Sequence, residues 1–500
     1  MAANRYIFPS RKDRTETGRL QIEEALNTRI GKEIQDRLIE HSNESGVHPL
    51  RQAHDAFASR ALLAQTAEKT LDIQYYIWKK DLTGTLMFKA IVDAAKRGVR
   101  VRLLLDDNGI NGLDESLIAL NRYSNIDVRL FNPFSLRWPK WMGSITNFTR
   151  LNRRMHNKSF TADNQASIVG GRNIGDEYFG AGTGQLFADL DVLLIGQVVQ
   201  EISEDFDTYW NNTLSIPIDQ IVKNTGEKEH KKFSQTISEI ENKPEATEYI
   251  GILRDSNFIR DLFSGNLDMV WADVRLVSDN PSKILDKSKP DQNLIQQIQN
   301  IVGEPQKELI LVSPYFVPAK AGVEVFRNMV KRGVSIRILT NSLQATDVKV
   351  VHAGYEKRRI ELLKAGIQLH EMKRFSDDMK FREQAGPFGS SGSSLHAKTF
   401  SVDGQRVFVG SFNFDQRSLH LNTEMGVVIE SSRLANDIRE IFEQGVPENS
   451  YEVSLNENGK IQWIEYTDEG KMIHKQEPET NLMQLIFVRF FSMMPIERFL

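Results

Sequence analysis

Two short blocks in this chain have the residue types and spacing to work on a phosphodiester. His156-Asn157-Lys158-Ser159-Phe160-Thr161-Ala162-Asp163 recurs as His396-Ala397-Lys398-Thr399-Phe400-Ser401-Val402-Asp403, and the paired His, Lys and Asp residues, together with Asn173 and Asn413, are each 240 positions apart. On an extended strand, residues i and i+2 share a face, so each copy can present an imidazole and an ammonium to one ligand. If the halves face each other, one neutral imidazole can attack phosphorus while the opposing imidazolium protonates the departing alkoxide. Lys158, Lys398, Asn173 and Asn413 would then clamp the equatorial oxygens. Side chains thus supply both charge and protons, so neither a metal nor a cofactor is expected. Asp163 and Asp403 complete the motifs. Five residues beyond the lysines, they read more readily as supporting or turn-forming groups than as proton carriers.

A nucleophilic imidazole needs its second nitrogen held as a donor, a task for a carboxylate. The candidates are Asp189, with Asp191 as a rival, and Glu424. Gly410-Ser411-Phe412-Asn413 follows the second motif, whereas Gly170-Gly171-Arg172-Asn173 follows the first, so the Ser411 hydroxyl, expected near the phosphate, has no counterpart and the halves are not equivalent.

These groups must be positioned by repeated elements. The apolar run 71–76 answers 309–315, and Lys-Arg-Gly-Val at 96–99 answers the same four residues at 331–334, each reading as a helix end, a Gly stop and a strand. Runs 126–131 and 367–372 make a further matching strand. With helices expected at 53–69 and 84–97, the alternation predicts two tandem α/β/α sandwich units with mixed, largely parallel sheets, related by a pseudo-two-fold axis. The expected boundaries are an N-terminal extension at 1–48 with one helix around 22–40, a first unit at 49–216, and a solvated polar connection at 217–247. A second unit follows at 248–445, with a helix at 291–301, and then a C-terminal segment at 446–500. The Gly-Ser stretch 386–394 is expected to form a mobile gate beside the second motif.

The 500 residues carry a formal net charge of -4 and 40% apolar side chains. Sizeable cores are therefore affordable, and the missing basic excess argues against nucleic acid as partner. Without cysteine there are no disulfides, zinc thiolates or thiol nucleophiles. Residues 1–14 lack an apolar leader core, and no run reaches the roughly 18 apolar residues of a spanning helix. Segment 482–500 is rich in Phe, Met and Ile but interrupted by Gln484, Arg489, Ser492 and Pro495. It reads either as a helix docked in the protein's own groove or as an interfacial membrane helix. Loop 138–148 mixes Trp and Lys in a way that suits anionic lipid. Tyr76, Trp78, Trp141 and Tyr315 read as core or channel-lining aromatics, and His352 and Tyr355 as neighbours of a head group.

The two intact HxKxxxxD motifs resemble those of the phospholipase D superfamily. The contexts Arg154 to Lys158, Gly170 to Asp176, Val351 to Tyr355 and Gly410 to Asp415 look most like bacterial cardiolipin synthases of the C type. The resemblance runs from about residue 50 to the C-terminus and is weak through 219–247. It implies two phospholipase D-like domains, His156 as nucleophile and His396 as general acid and base. It also implies phosphatidyl transfer through a phosphohistidine, forming cardiolipin from phosphatidylglycerol and a second phospholipid. The expected partners are phospholipids and a membrane surface, with a small accessory protein left open. The expected location is peripheral at the bacterial inner membrane, with the cytoplasmic face favoured by the lack of a leader. Hydrolysis with water as acceptor is the alternative, followed by a nucleic-acid phosphodiesterase and a non-catalytic lipid-binding scaffold.

Overall fold

The computed structural model describes residues 16–134, 136–137, 148–181, 186–222, 226–374 and 394–492. Among the described residues the chain builds two mixed sheets, of nine and ten strands, and a two-stranded parallel one that joins Phe187–Ala188 to Ser394–Leu395. In each mixed sheet, parallel pairing is confined to the three strands that open the α/β unit, Thr70–Ile77, Arg100–Gly109 and Ile126–Phe131 in the first and Glu308–Val312, Ser335–Asn341 and Gln368–Met372 in the second. The motif strands, Ser159–Ala162 and Thr399–Val402, pair antiparallel with the first strand of each trio.

Period-two alternation sorts the side chains into layers. Ile168, Leu193 and Ile195 point to a core beneath helices Ala53–Thr66, Leu82–Lys96 and Asp114–Leu120. Their neighbours Val169, Val192 and Leu194 point the other way, into a core shared with Val312, Val407, Val409, Val427 and Ile429 of the second sheet. Leu309, Leu311, Phe408 and Val428 face the second lobe's own helices. The inner faces of the two sheets are thus pressed together, with the equivalent residues Val169 and Val409 in one shared core.

The repeated Lys-Arg-Gly-Val forms the same helix stop twice. Gly98 and Gly333 take φ of 97° and 91°, and the amides of Val99 and Val334 reach back to the carbonyls of Ala94 and Met329. This is the paired-bond closure that a left-handed residue permits.

The domain limits differ from expectation. Region 217–247 is not a solvated connection: helix Glu227–Glu239 and helix Pro244–Arg254 bury Phe233, Ile237, Tyr249 and Leu253 against the first lobe, and strand Val270–Ala272 pairs with Ser45–Leu50 at that sheet's edge. Frequent Lys and Glu on the outer faces mask this apolar spacing. The N-terminal region forms two helices, Ile22–Leu26 and Arg29–Glu40, and at the other end strands Ser450–Leu455, Ile461–Thr467 and Gly470–His474 extend the second sheet beyond residue 445. The stretch 375–393 with its expected gate, Trp141 and nearly all of loop 138–148, and residues 493–500 lie outside the described residues.

Candidate active site

Matching side chains anchor the backbone just ahead of each motif histidine. Asp106, near the end of its parallel strand, accepts the amide of Met155 at 2.9 Å and forms a buried ion pair with Arg154. Asn341, at the same place in the second lobe, accepts the amide of Leu395 and donates back to its carbonyl, both at 2.9 Å. Residues 156–158 then run extended into the motif strand rather than lying within it, and each run is bridged to the other lobe. The His156 amide donates to the Thr423 carbonyl at 2.8 Å, and the His396 amide to the Ala188 carbonyl at 2.7 Å.

Those bridges cross the orienting carboxylates between lobes. Nδ1 of His156 lies 2.7 Å from Glu424 Oε2, and Nδ1 of His396 lies 2.6 Å from Asp189 Oδ2. With Nδ1 committed as a donor, each ring is held in the tautomer that leaves Nε2 with its lone pair. Asp191, the rival candidate, is spent elsewhere, pairing with Arg60 at 2.8 Å and with Arg172. Lys158 Nζ donates to the His156 carbonyl at 2.6 Å, and Lys398 Nζ donates to the His396 carbonyl. That leaves further ammonium protons for a ligand.

The two halves support their carboxylates differently. Glu424 accepts Ser411 Oγ at 2.5 Å and Ser418 Oγ at 2.8 Å. The Ser411 hydroxyl therefore serves the carboxylate, not the phosphate position first expected of it. Asp189, one methylene shorter, takes the Leu190 amide at 2.8 Å, and a Cβ at Gly171 would collide with it. The missing hydroxyl in the first half is thus a consequence of where Asp189 sits. Asn173 accepts the Ile77 amide and donates to Tyr178 Oη, and Asn413 is buried with its Oδ1 unpaired.

Asp163 and Asp403, the last residues of the two motifs, hold backbone amides. With φ of 51° and 55°, both sit in the turn that closes the motif hairpin. Asp163 accepts the amides of Glu68, Lys69 and Thr70, and Asp403 those of Gln306, Lys307 and Glu308. His352 and Tyr355 are likewise structural: both are buried, within a network with Arg359, Glu371 and Glu477. Trp78 is core, stacked on Phe88.

Aromatic walls that motif spacing does not reveal enclose the rings. Tyr76 meets His156 edge-on at 4.9 Å, and Tyr178 and Phe187 both lie 5.2 Å from His396. Phe187 was visible only as a neighbour of Asp189, and Tyr178 carried no signal beyond lying five residues after Asn173.

Burial and like charge set the proton affinities. Burial, reinforced by the ammoniums of Lys158 and Lys398 and opposed by Glu424, lowers His156 to about 4. Burial lowers His396 too, with Lys398 adding and Asp189 opposing. Lys158 falls to about 7 through burial and the nearby Lys398, against Glu424, and Lys398 is lowered by burial as well. Burial alone would raise Glu424 and Asp189, but their histidine and lysine neighbours hold both below the usual carboxylate range. At neutral pH the result is two neutral imidazoles, two ionised carboxylates and a Lys158 close to its titration point, which a bound anion would hold in the ammonium form.

A duplicated half-site, each half giving an imidazole and an ammonium to one buried centre, defines a class of protein that transfers phosphodiester groups. A family model described as cardiolipin synthase, PLD-like domain, matches residues 62–210 and 294–446, one segment in each lobe. Cardiolipin synthase C of Escherichia coli (strain K12) is 47% identical over 458 residues, spanning 92% of this chain and 97% of that protein. An uncharacterized protein of Helicobacter pylori is 31% identical over 480 residues, covering 94% and 92%. The crystal structure of a phosphatidylserine synthase from Haemophilus influenzae Rd KW20 shares the fold, with a TM-score of 0.56 at 14% identity over 94% of this chain and 100% of that one. The chain belongs to the cardiolipin synthase family of the phospholipase D superfamily, whose members are phosphatidyltransferases.

Proposed function

We propose that this enzyme forms cardiolipin by moving a phosphatidyl group onto the free hydroxyl of phosphatidylglycerol, through a phosphohistidine at His156. The crossed pairs His156–Glu424 and His396–Asp189 carry this reading, because they hold each Nδ1 as a donor and leave each Nε2 its lone pair, that of His396 lying 3.3 Å from Lys398 Nζ, while the lysines supply positive charge. Nε2 of His156 attacks phosphorus, the bond from phosphorus to the head-group oxygen breaks, and His396 delivers its proton to that oxygen. In the second step the incoming hydroxyl returns a proton to His396 and attacks phosphorus, and the P–N bond breaks to free His156. His156, with a proton affinity lowered to about 4, is suited to the nucleophilic role. A bound phosphodiester anion would restore charge to both lysines and favour a proton on His396.

The acceptor is proposed to be a lipid alcohol rather than water, with the enzyme peripheral at the inner membrane. No helix among the described residues is long and apolar enough to cross a membrane. Helix Leu482–Ser492 packs Leu485 and Val488 on Leu343 and Ala353, next to the loop that leads from Asn341, and leaves Met483, Ile486 and Phe490 exposed. The docked and interfacial readings of this segment are thereby compatible. Expression in a bacterial host lacking its own cardiolipin synthases, followed by thin-layer and mass analysis of lipids, tests the proposal. Cardiolipin is expected. Accumulation of phosphatidic acid alone would make the enzyme a hydrolase.

A further inference from the structure

Asp347 sits where a carboxylate does an anion-binding site no evident good. It lies in the loop following strand Ser335–Asn341, and the two Asn341 bonds to Leu395 fix the start of that loop beside the second motif. Tyr315 Oη donates to both of its oxygens, at 2.8 and 2.9 Å. Among the described residues it forms no ion pair, and it is exposed while His396 and Lys398 behind it are 6% and 2% accessible. Burial lowers the proton affinities of His396 and Lys398, and Asp347 is among the charges that push back, so it lies within electrostatic reach of both.

A negative charge at the rim weakens phosphate binding unless the rest of the substrate repays it. One tyrosine hydroxyl occupies only part of the carboxylate's capacity of about four lone-pair sites. The remainder is open to solvent, in the lobe that carries His396, the group that serves the departing and the arriving oxygen. Among the described residues the first lobe shows no such group: there the tyrosine beside the histidine, Tyr76, takes its bond from the neutral amide of Asn108 at 3.2 Å.

We propose that Asp347, held by Tyr315, is a specificity determinant that accepts hydrogen bonds from the lipid head group, selecting heads that carry hydroxyl or ammonium protons over heads that carry none. The assignment rests on the phosphodiester reading of the site and adds the side on which the head group lies. Glycerol and ethanolamine heads share the required donors, and a choline head lacks them.

The test is binding of soluble head-group mimics, so that turnover is not needed. Titration calorimetry with the methyl phosphodiesters of glycerol, ethanolamine and choline, whose methyl arm carries no donor, is compared for the unaltered protein, Asp347→Asn and Tyr315→Phe. The unaltered protein is expected to prefer the two donor heads over choline by about tenfold, as for a hydrogen bond to a charged acceptor. Asp347→Asn should erase that preference with choline affinity unchanged or improved, and Tyr315→Phe should reduce it partially. A larger loss for ethanolamine than for glycerol would identify charge, and equal losses the hydrogen bond, as the feature read. Equal affinities for all three mimics in the unaltered protein, or a preference that survives Asp347→Asn, would overturn the proposal. If discrimination is seen but no lipid is turned over, the head-group site stands and the transferase reading fails.

Discussion

Replacing Glu424 with Gln keeps the reach to His156 but offers an amide where the imidazole needs a fixed acceptor. The ring then loses its enforced tautomer, and kcat/KM is expected to fall by about 10²–10⁴ in a vesicle assay. Asp189→Asn should do the same through His396, although each carboxylate lies in the opposite lobe from the ring it serves. The pH profile follows from the same shifts. His156 must be neutral and His396 protonated, so kcat/KM should be bell-shaped, with an acid limb near 4 and an alkaline limb below the ordinary histidine value of 6.5, ahead of the loss of charge on Lys158 near 7. A profile with its acid limb at the ordinary histidine value would contradict the burial argument. Between 6.5 and about 4 the unfolded chain binds a proton that folded His156 refuses, so stability should also decline as pH falls through that window. The motif residues and both carboxylates were legible in the sequence because the chemistry dictates their types. Their crossed pairing was not, since it is a contact between residues 268 and 207 positions apart.

At the level of elements, the motif aspartates hold hairpins. Asp163→Ala removes the acceptor of three backbone amides and should cost about 2–3 kcal/mol, read as a lower Tm, while kcat/KM of the folded fraction stays unchanged. Asp403, less buried, should cost less. An activity loss at full stability would return these residues to the catalytic group. Gly171→Ser, which would make the first half resemble the second, should instead displace Asp189 and mimic its loss. The strand and helix repeats were readable from periodicity and the Lys-Arg-Gly-Val stops. The helices over 227–254 were not, because Phe233, Ile237 and Tyr249 are scattered among charged residues that face solvent.

Over the whole molecule, two lobes are pressed sheet to sheet with the histidine–carboxylate pairs crossing between them, and helix Leu482–Ser492, packed on Leu343 and Ala353, leaves three apolar side chains exposed. Changing Met483, Ile486 and Phe490 together to Ser should weaken liposome co-sedimentation and leave cleavage of a soluble short-chain phosphodiester unchanged; undiminished sedimentation would remove the helix from the membrane contact. The central claim is that one imidazole from each lobe acts on a single phosphorus atom, His156 by bonding to it and His396 by moving the proton. Mass spectrometry of acid-sparing digests, after mixing phospholipid with His396→Ala, addresses it directly. A phosphatidyl adduct on the peptide bearing His156 is the expected result, absent from His156→Ala. An adduct on any other residue, or turnover by His156→Ala, would contradict it.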